Sequence, residues 1–151
     1  SRFGGHAMAV GAALATKDIP LLDRALCDQA GPVLGREPTQ PVLRIEAQAA
    51  LPELGPPFMA FLEAMAPFGQ GNPEPLLLCQ KARVEETRVV GQDHLKMSLS
   101  QDGARAQAIA FGMAGQAPAP GQSVDLAFTP RISNFMGRHL ELVVSDFRPL
   151  D

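Results

Sequence analysis

Apolar and polar residues change their period part-way along the chain. In the first part the recurrence is helical. Ile19, Leu22 and Leu26 fall on one face of a segment opened by Asp18 and Pro20, and Gly31-Pro32 is a pair of the kind that stops helices. After Pro56-Pro57 the residues Phe58, Phe61, Leu62 and Met65 repeat the spacing, which predicts a second helix ending at Pro67. Between the two, residues 33–41 read as a linker with Gly35, Pro38 and Pro41, and Val42 to Glu46 alternates like a short strand. Beyond Pro75 the period drops to two. Leu95, Met97 and Leu99 alternate with Lys96, Ser98 and Ser100, and Val124, Leu126 and Phe128 alternate with Asp125, Ala127 and Thr129. Further strand-like runs cover Leu76 to Val90, Arg105 to Phe111 and His139 to Phe147.

Turn residues separate these runs at Gly91-Gln92-Asp93, Gln101-Asp102-Gly103, Ala114 to Gly121 and Asn134 to Arg138. Five strands in so short a stretch predict an α+β segment followed by an all-β five-stranded OB-type barrel. An SH3-like barrel competes on pattern alone. In an OB barrel the ligand surface is the face of strands 2 and 3 with the loops joining strands 1–2 and 4–5. The divisions expected are 1–37, 38–73 as a connecting strand and helix, and 74–151 as the OB-fold domain.

Composition adds exclusions. No apolar run approaches the ~20 residues that cross a bilayer, and the start has no signal-peptide pattern, so no membrane partner and a cytoplasmic location are expected. Because the chain opens at Ser1, directly before a motif, it reads as an excised fragment. Cys27 and Cys79 are too far apart for a CxxC site and are expected as buried, reduced thiols. The net charge is −3, so any nucleic-acid binding must come from a local patch.

Two segments hold such chemistry. Gly4-Gly5-His6 predicts a tight turn whose backbone N–H groups and imidazole suit a phosphate oxygen. The alternative for these residues is a structural turn. The expected loop of barrel strands 4–5 runs Arg131-Ile132-Ser133-Asn134-Phe135-Met136-Gly137-Arg138-His139. Arginine for phosphate and phenylalanine for base stacking are the ingredients of single-strand binding. Lys96 should point outward near that tip, with His94, Arg83 and Arg88 as neighbours that can join it. Candidate strand-binding residues of the barrel are therefore Lys96, Arg131, Asn134, Phe135, Arg138 and His139. The bland reading is that these charges solvate the barrel while Phe135 and Met136 cap its end. His6, His94 and His139 have no mutual spacing that suggests a metal site, and no nucleophile–base pair is visible.

Phe3-Gly4-Gly5-His6-Ala7-Met8-Ala9-Val10-Gly11 closely resembles the signature of the domain that accompanies the DHH phosphoesterase core, with Val10 where the family usually has Ala. Pro67-Phe68-Gly69-Gln70-Gly71-Asn72-Pro73-Glu74-Pro75 and the barrel pattern after it narrow the resemblance to the C-terminal part of RecJ-type enzymes. These are the single-stranded-DNA-specific 5′→3′ exonucleases of that family. The likeness extends through Ala108-Ile109-Ala110-Phe111-Gly112 to Leu140-Glu141-Leu142-Val143-Val144.

The resemblance implies that residues 1–37 end the DHH-associated domain, and that Gly4, Gly5 and His6 hold DNA phosphate. It implies a parent hydrolase using Mn or Mg in DNA repair and recombination, with its metal-binding half outside this chain. No catalytic residue, metal or other cofactor is then expected here. The partner implied is single-stranded DNA. An alternative makes the barrel a protein-docking OB module that recruits a helicase or single-strand-binding protein. Another makes the chain a fragment of a DHH enzyme acting on RNA or short nucleotides.

Overall fold

The computed structural model describes residues 2–35, 41–134 and 137–150, which form two compact units, Ser1–Val42 and Leu43–Asp151. In the first unit, strands β1 (Arg2–His6) and β2 (Ala9–Ala13) form an antiparallel hairpin, followed by helix α1 (Ile19–Leu34). A two-stranded ribbon and one helix have too few faces to enclose a core. None of these elements buries a residue, and Phe3, Met8 and Val33 are all strongly exposed.

Two expectations need correcting here. Helix α1 does not stop at Gly31-Pro32 but runs to Leu34 and ends at Gly35, whose φ is +74°. Proline keeps a helical φ and in a final turn deletes only one hydrogen bond, so it is tolerated there. Cys27 lies exposed on α1 rather than buried, because that helix has no covered face.

The second unit begins with β3 (Ala47–Gln48), a one-turn 3-10 helix at Leu51–Glu53 and helix α2 (Pro56–Met65). The short strand lies after the predicted Val42 to Glu46. Its place is fixed by parallel register with Leu77 and Leu78, flanked by bonds from Glu46 N to Leu76 O and from Ala49 N to Leu78 O. Alternation within its own residues does not set it. Helix α2 matches its predicted span. It turns Phe58, Leu62 and Met65 at least partly inward and leaves Phe61 outside the stripe, exposed.

The barrel strands are β4 (Leu77–Val90), β5 (His94–Gln101), β6 (Ala104–Ala110), β7 (Ser123–Ser133) and β8 (His139–Pro149). They pair in the order β4-β5-β6-β8-β7, and β7 returns to β4 to close the cylinder. A meander would keep β6 beside β7. Here β6 instead lies parallel to β8, which gives the OB arrangement over the SH3-like one. Within the barrel strand β4 serves β7 along its first half and β5 along its second, besides carrying β3 at Leu77 and Leu78. Bulges between Cys79 and Ala82 and between Val84 and Glu86 bend it around the barrel.

The core follows the period-two pattern. Leu95, Met97, Leu99, Val124, Leu126, Phe128 and Leu142 are fully buried. Ala82, Ala108 and Ala110 are too, and their small side chains let so narrow a barrel close around Phe128. At one end the 3-10 turn inserts Leu51 and Leu54 into this core. It is tied down by Leu51 N–H donating to Gln101 Oε1 at 2.7 Å.

Candidate nucleic-acid interface

Since Leu95, Met97 and Leu99 face the core, their neighbours on β5 face outward. The same parity on β6 puts Ala108 and Ala110 inside and Gln107 and Ile109 outside. Register then assembles rows across the outer sheet. One row runs Arg88, Lys96, Ile109, Val143. The next runs Glu86, Ser98, Gln107, Glu141, Arg131. Cationic, amide and hydroxyl groups thus share a surface with aliphatic side chains, and this is the strand 2–3 face that the sequence singled out. Lys96 stands in its middle.

Charge on this face is arranged as an alternating ladder. Glu74, in the loop before β4, receives Arg131 Nη2 at 2.6 Å and Nε at 3.1 Å. Arg131 lies opposite Glu141 across β7 and β8, and Glu141 pairs with Lys96 Nζ at 3.3 Å. The hydrogen-bonded Glu74 raises the pKa of Arg131, so its cation is held firmly. Arg138 is likewise paired, with Glu63 on α2. Three of the predicted strand-binding cations therefore already hold a carboxylate.

The remaining predicted residues distribute as follows. Asn134 is exposed at the start of the β7–β8 loop. Phe135 lies outside the described residues, as does Met136. His139 begins β8, with Nδ1 2.8 Å from Gly137 O. A carbonyl can only accept, so Nδ1 carries the proton, and Nε2 has no partner among the described residues.

Gly4, Gly5 and His6 belong to the first unit, and they are not the turn the sequence suggested. They form the extended end of β1, and the hairpin reverses at Ala7-Met8. Gly5 is required by close approach, because a Cβ there would come within 2.5 Å of Ala9 O. His6 Nδ1 accepts the Met8 N–H at 3.3 Å, which leaves Nε2–H as the ring's donor.

One side chain on the face was overlooked. Phe111, half-exposed just past β6, meets His94 edge-on with centroids 5.1 Å apart. His94 Nδ1 accepts the Gly112 N–H, fixing the ring beside it. The signal was in the sequence: Ala104, Ala106, Ala108 and Ala110 occupy one parity, so Arg105, Gln107, Ile109 and Phe111 must occupy the outer one. Among the described residues no cluster of His, Cys, Asp and Glu fits a metal ion. No helix there is long and apolar enough to cross a membrane.

Residues 45–146 match the family model described as RecJ OB domain. The chain belongs to that family. It is 27% identical over 149 residues to the single-stranded-DNA-specific exonuclease RecJ of Bacillus subtilis, covering 95% of this chain and 19% of the relative. The RecJ of Dickeya dadantii is 29% identical, with 99% of this chain and 27% of the relative covered. The crystal structure of RecJ from Thermus thermophilus in complex with Mn2+ superposes with a TM-score of 0.67 at 26% identity. That match covers 99% of this chain and 22% of the other. The chain thus spans only about a fifth to a quarter of the length of these RecJ proteins.

Proposed function

We propose that this chain is the DNA-binding C-terminal portion of a single-stranded-DNA-specific 5′→3′ exonuclease, and that its barrel grips the strand. The observation that carries the reading is the outer face formed by the end of β4 with β5 and β6, where Arg88, Lys96, Gln107, Ile109 and Phe111 combine cations with stacking surface in a RecJ OB domain. Arg131, Asn134, Phe135, Arg138 and His139 extend the grip along the β7–β8 loop.

In this reading Gly4, Gly5 and His6 hold a phosphate near the scissile bond. Residues 1–37 end the DHH-associated domain, 38–73 connect, and 74–151 form the OB-fold domain. The parent is a cytoplasmic repair and recombination enzyme using Mn or Mg. Among the described residues no group of His, Cys, Asp and Glu fits such a metal site, and in this reading the chain's share is to bind the strand.

Fluorescence anisotropy of labelled single-stranded and duplex oligonucleotides, titrated at several salt concentrations, tests the barrel. Salt-dependent binding with single-strand preference is expected. Equal binding of duplex, or none at low salt, would refute it. Incubation with Mn2+ and 5′-labelled oligonucleotide should release no mononucleotide.

A second reading makes the barrel a docking module for a helicase or single-strand-binding protein. It draws support from the carboxylates already paired to Arg131 and Arg138. Replacing Phe135 and Arg138 by Ala separates the two, because loss of oligonucleotide binding with partner binding retained supports the DNA reading.

A further inference from the structure

Next to the strand 2–3 face, a groove of about 430 Å3 opens between the 3-10 turn with the start of α2 and the strands β6 and β8. Its walls are apolar: Leu51, Leu54, Met59 and Leu140. The polar groups at its lining are Arg105, Gln107 and His139, and no carboxylate is among the lining residues. The contrast with the neighbouring cations is sharp. Lys96, Arg131 and Arg138 each hold a glutamate, whereas among the described residues Arg105 has no carboxylate within ion-pair distance.

Gln107 links this groove to the outer face. Besides lining the groove, it borders the shallow depression formed by Glu86, Arg88, Lys96 and Ser98. A strand lying over that depression therefore passes the groove mouth. The wall is also held in place, through Leu51 N–H on Gln101 and Ala50 N–H on Glu53 Oε2 at 2.6 Å. Apolar walls with a few polar groups at the mouth, in a volume of this order, suit a small flat ligand. A flipped base is held in such surroundings, with its edge hydrogen-bonded and its faces against apolar side chains.

We propose that this groove is a base pocket: it takes one unstacked nucleobase of a bound single strand, while Arg105 meets the adjoining phosphate. Gln107 and His139 supply the polar edge. The Gln107 amide gives one N–H to Ser98 Oγ at 3.3 Å and keeps its second N–H and its carbonyl to offer, and His139, whose Nδ1 proton is committed to Gly137 O, offers Nε2. A paired base in a duplex cannot enter, so the pocket contributes to single-strand selectivity. This rests on the strand-binding reading of the barrel.

The test uses the full chain labelled with 13C at its methionine methyl groups, the Met59 signal being assigned by Met59→Leu. It is titrated with a short oligothymidylate and with an abasic strand of equal length and charge. The base-bearing strand should shift the Met59 methyl by ring current and saturably, and the abasic strand should not. By anisotropy the oligothymidylate should bind about tenfold or more tighter than the abasic strand. Met59→Trp, which fills the groove and leaves Phe111 intact, should reduce that ratio several-fold. Arg105→Gln should weaken both strands.

A strand that binds while Met59 stays silent, or an abasic strand that shifts it equally, overturns the pocket and leaves the strand-binding barrel standing. A preference unchanged in Met59→Trp overturns it also. A groove that answers to apolar peptides and not to oligothymidylate would belong to a protein partner instead. Absence of any oligonucleotide binding removes both readings together.

Discussion

At the scale of single residues, carboxylates hold the cations of this barrel: Glu141 on Lys96, Glu74 on Arg131 and Glu63 on Arg138. Glu74→Gln removes the carboxylate bonded to Arg131 and leaves only Glu141, already paired with Lys96, across the strands from the guanidinium. Single-stranded oligonucleotide should then bind several-fold tighter at low salt. The slope of log affinity against log salt should steepen by about 0.7, the value for one more phosphate contact on a single strand. Thermal stability should change by less than about 1 kcal/mol, since the pair is exposed. Unchanged affinity would mean that Arg131 touches no phosphate. The outward placement of Lys96 was legible in the alternation of β5. Its glutamate was not, nor was that of Arg131, because Glu74 lies 57 residues from Arg131 and only the folded junction brings them together.

Cys79 gives a second test at this scale. Burial pushes its thiol from the ordinary 9.0 up to about 11. The folded state thus favours the protonated thiol, and an unfolded chain releases that proton first. The stability it contributes is complete below pH 9 and lost as pH rises from 9 to about 11, which denaturant melts across that window would detect. Iodoacetamide at neutral pH should alkylate exposed Cys27 and spare Cys79, giving one adduct by mass spectrometry.

At the scale of elements, turns and strands were far easier to read than ends and edges. The β5–β6 hairpin reverses through Asp102 and Gly103, with φ of +48° and +82°. Those are the positive angles a two-residue turn demands, and Asp-Gly announces them in the sequence. Gly103→Ala should cost about 1–2 kcal/mol in a urea titration, because its Cβ meets no neighbour and backbone strain is what remains. A loss well below that would show that the turn relaxes. By contrast, Gly31-Pro32 does not mark the end of α1, since a proline in a last turn breaks one bond and not the helix. The place of β3 was also missed, because a two-residue strand takes its register from β4, thirty residues onward. The glycine-histidine segment looked like a turn, but the pairing of Gly5 with Val10 makes it strand.

At the scale of the molecule, stability is concentrated in the second unit. Among the described residues every buried hydrophobic lies between Leu51 and Phe147. A chain of residues 43–151 should therefore melt within a few degrees of the full one, and slow amide exchange should map to β4–β8 and not to α1. A large drop in midpoint on removing residues 1–42 would refute that division. The barrel class and the outward-facing row of β5 were readable in advance because burial imposes period two. The groove beside Gln107 was not, since its walls come from segments fifty residues apart that only closure of the barrel aligns.

Strand β8 is the last element of the chain, yet it sits between β6 and β7 and bonds to both. A protein emerging from the ribosome reveals β4 to β7 while the gap between β6 and β7 is still empty. Until residues 139–149 arrive, both flanking edges lack their partner and the cylinder cannot shut. Closure of this unit must therefore wait for residues 139–149. A chain interrupted before residue 139 would be an open, adhesive sheet and not a slightly shortened barrel.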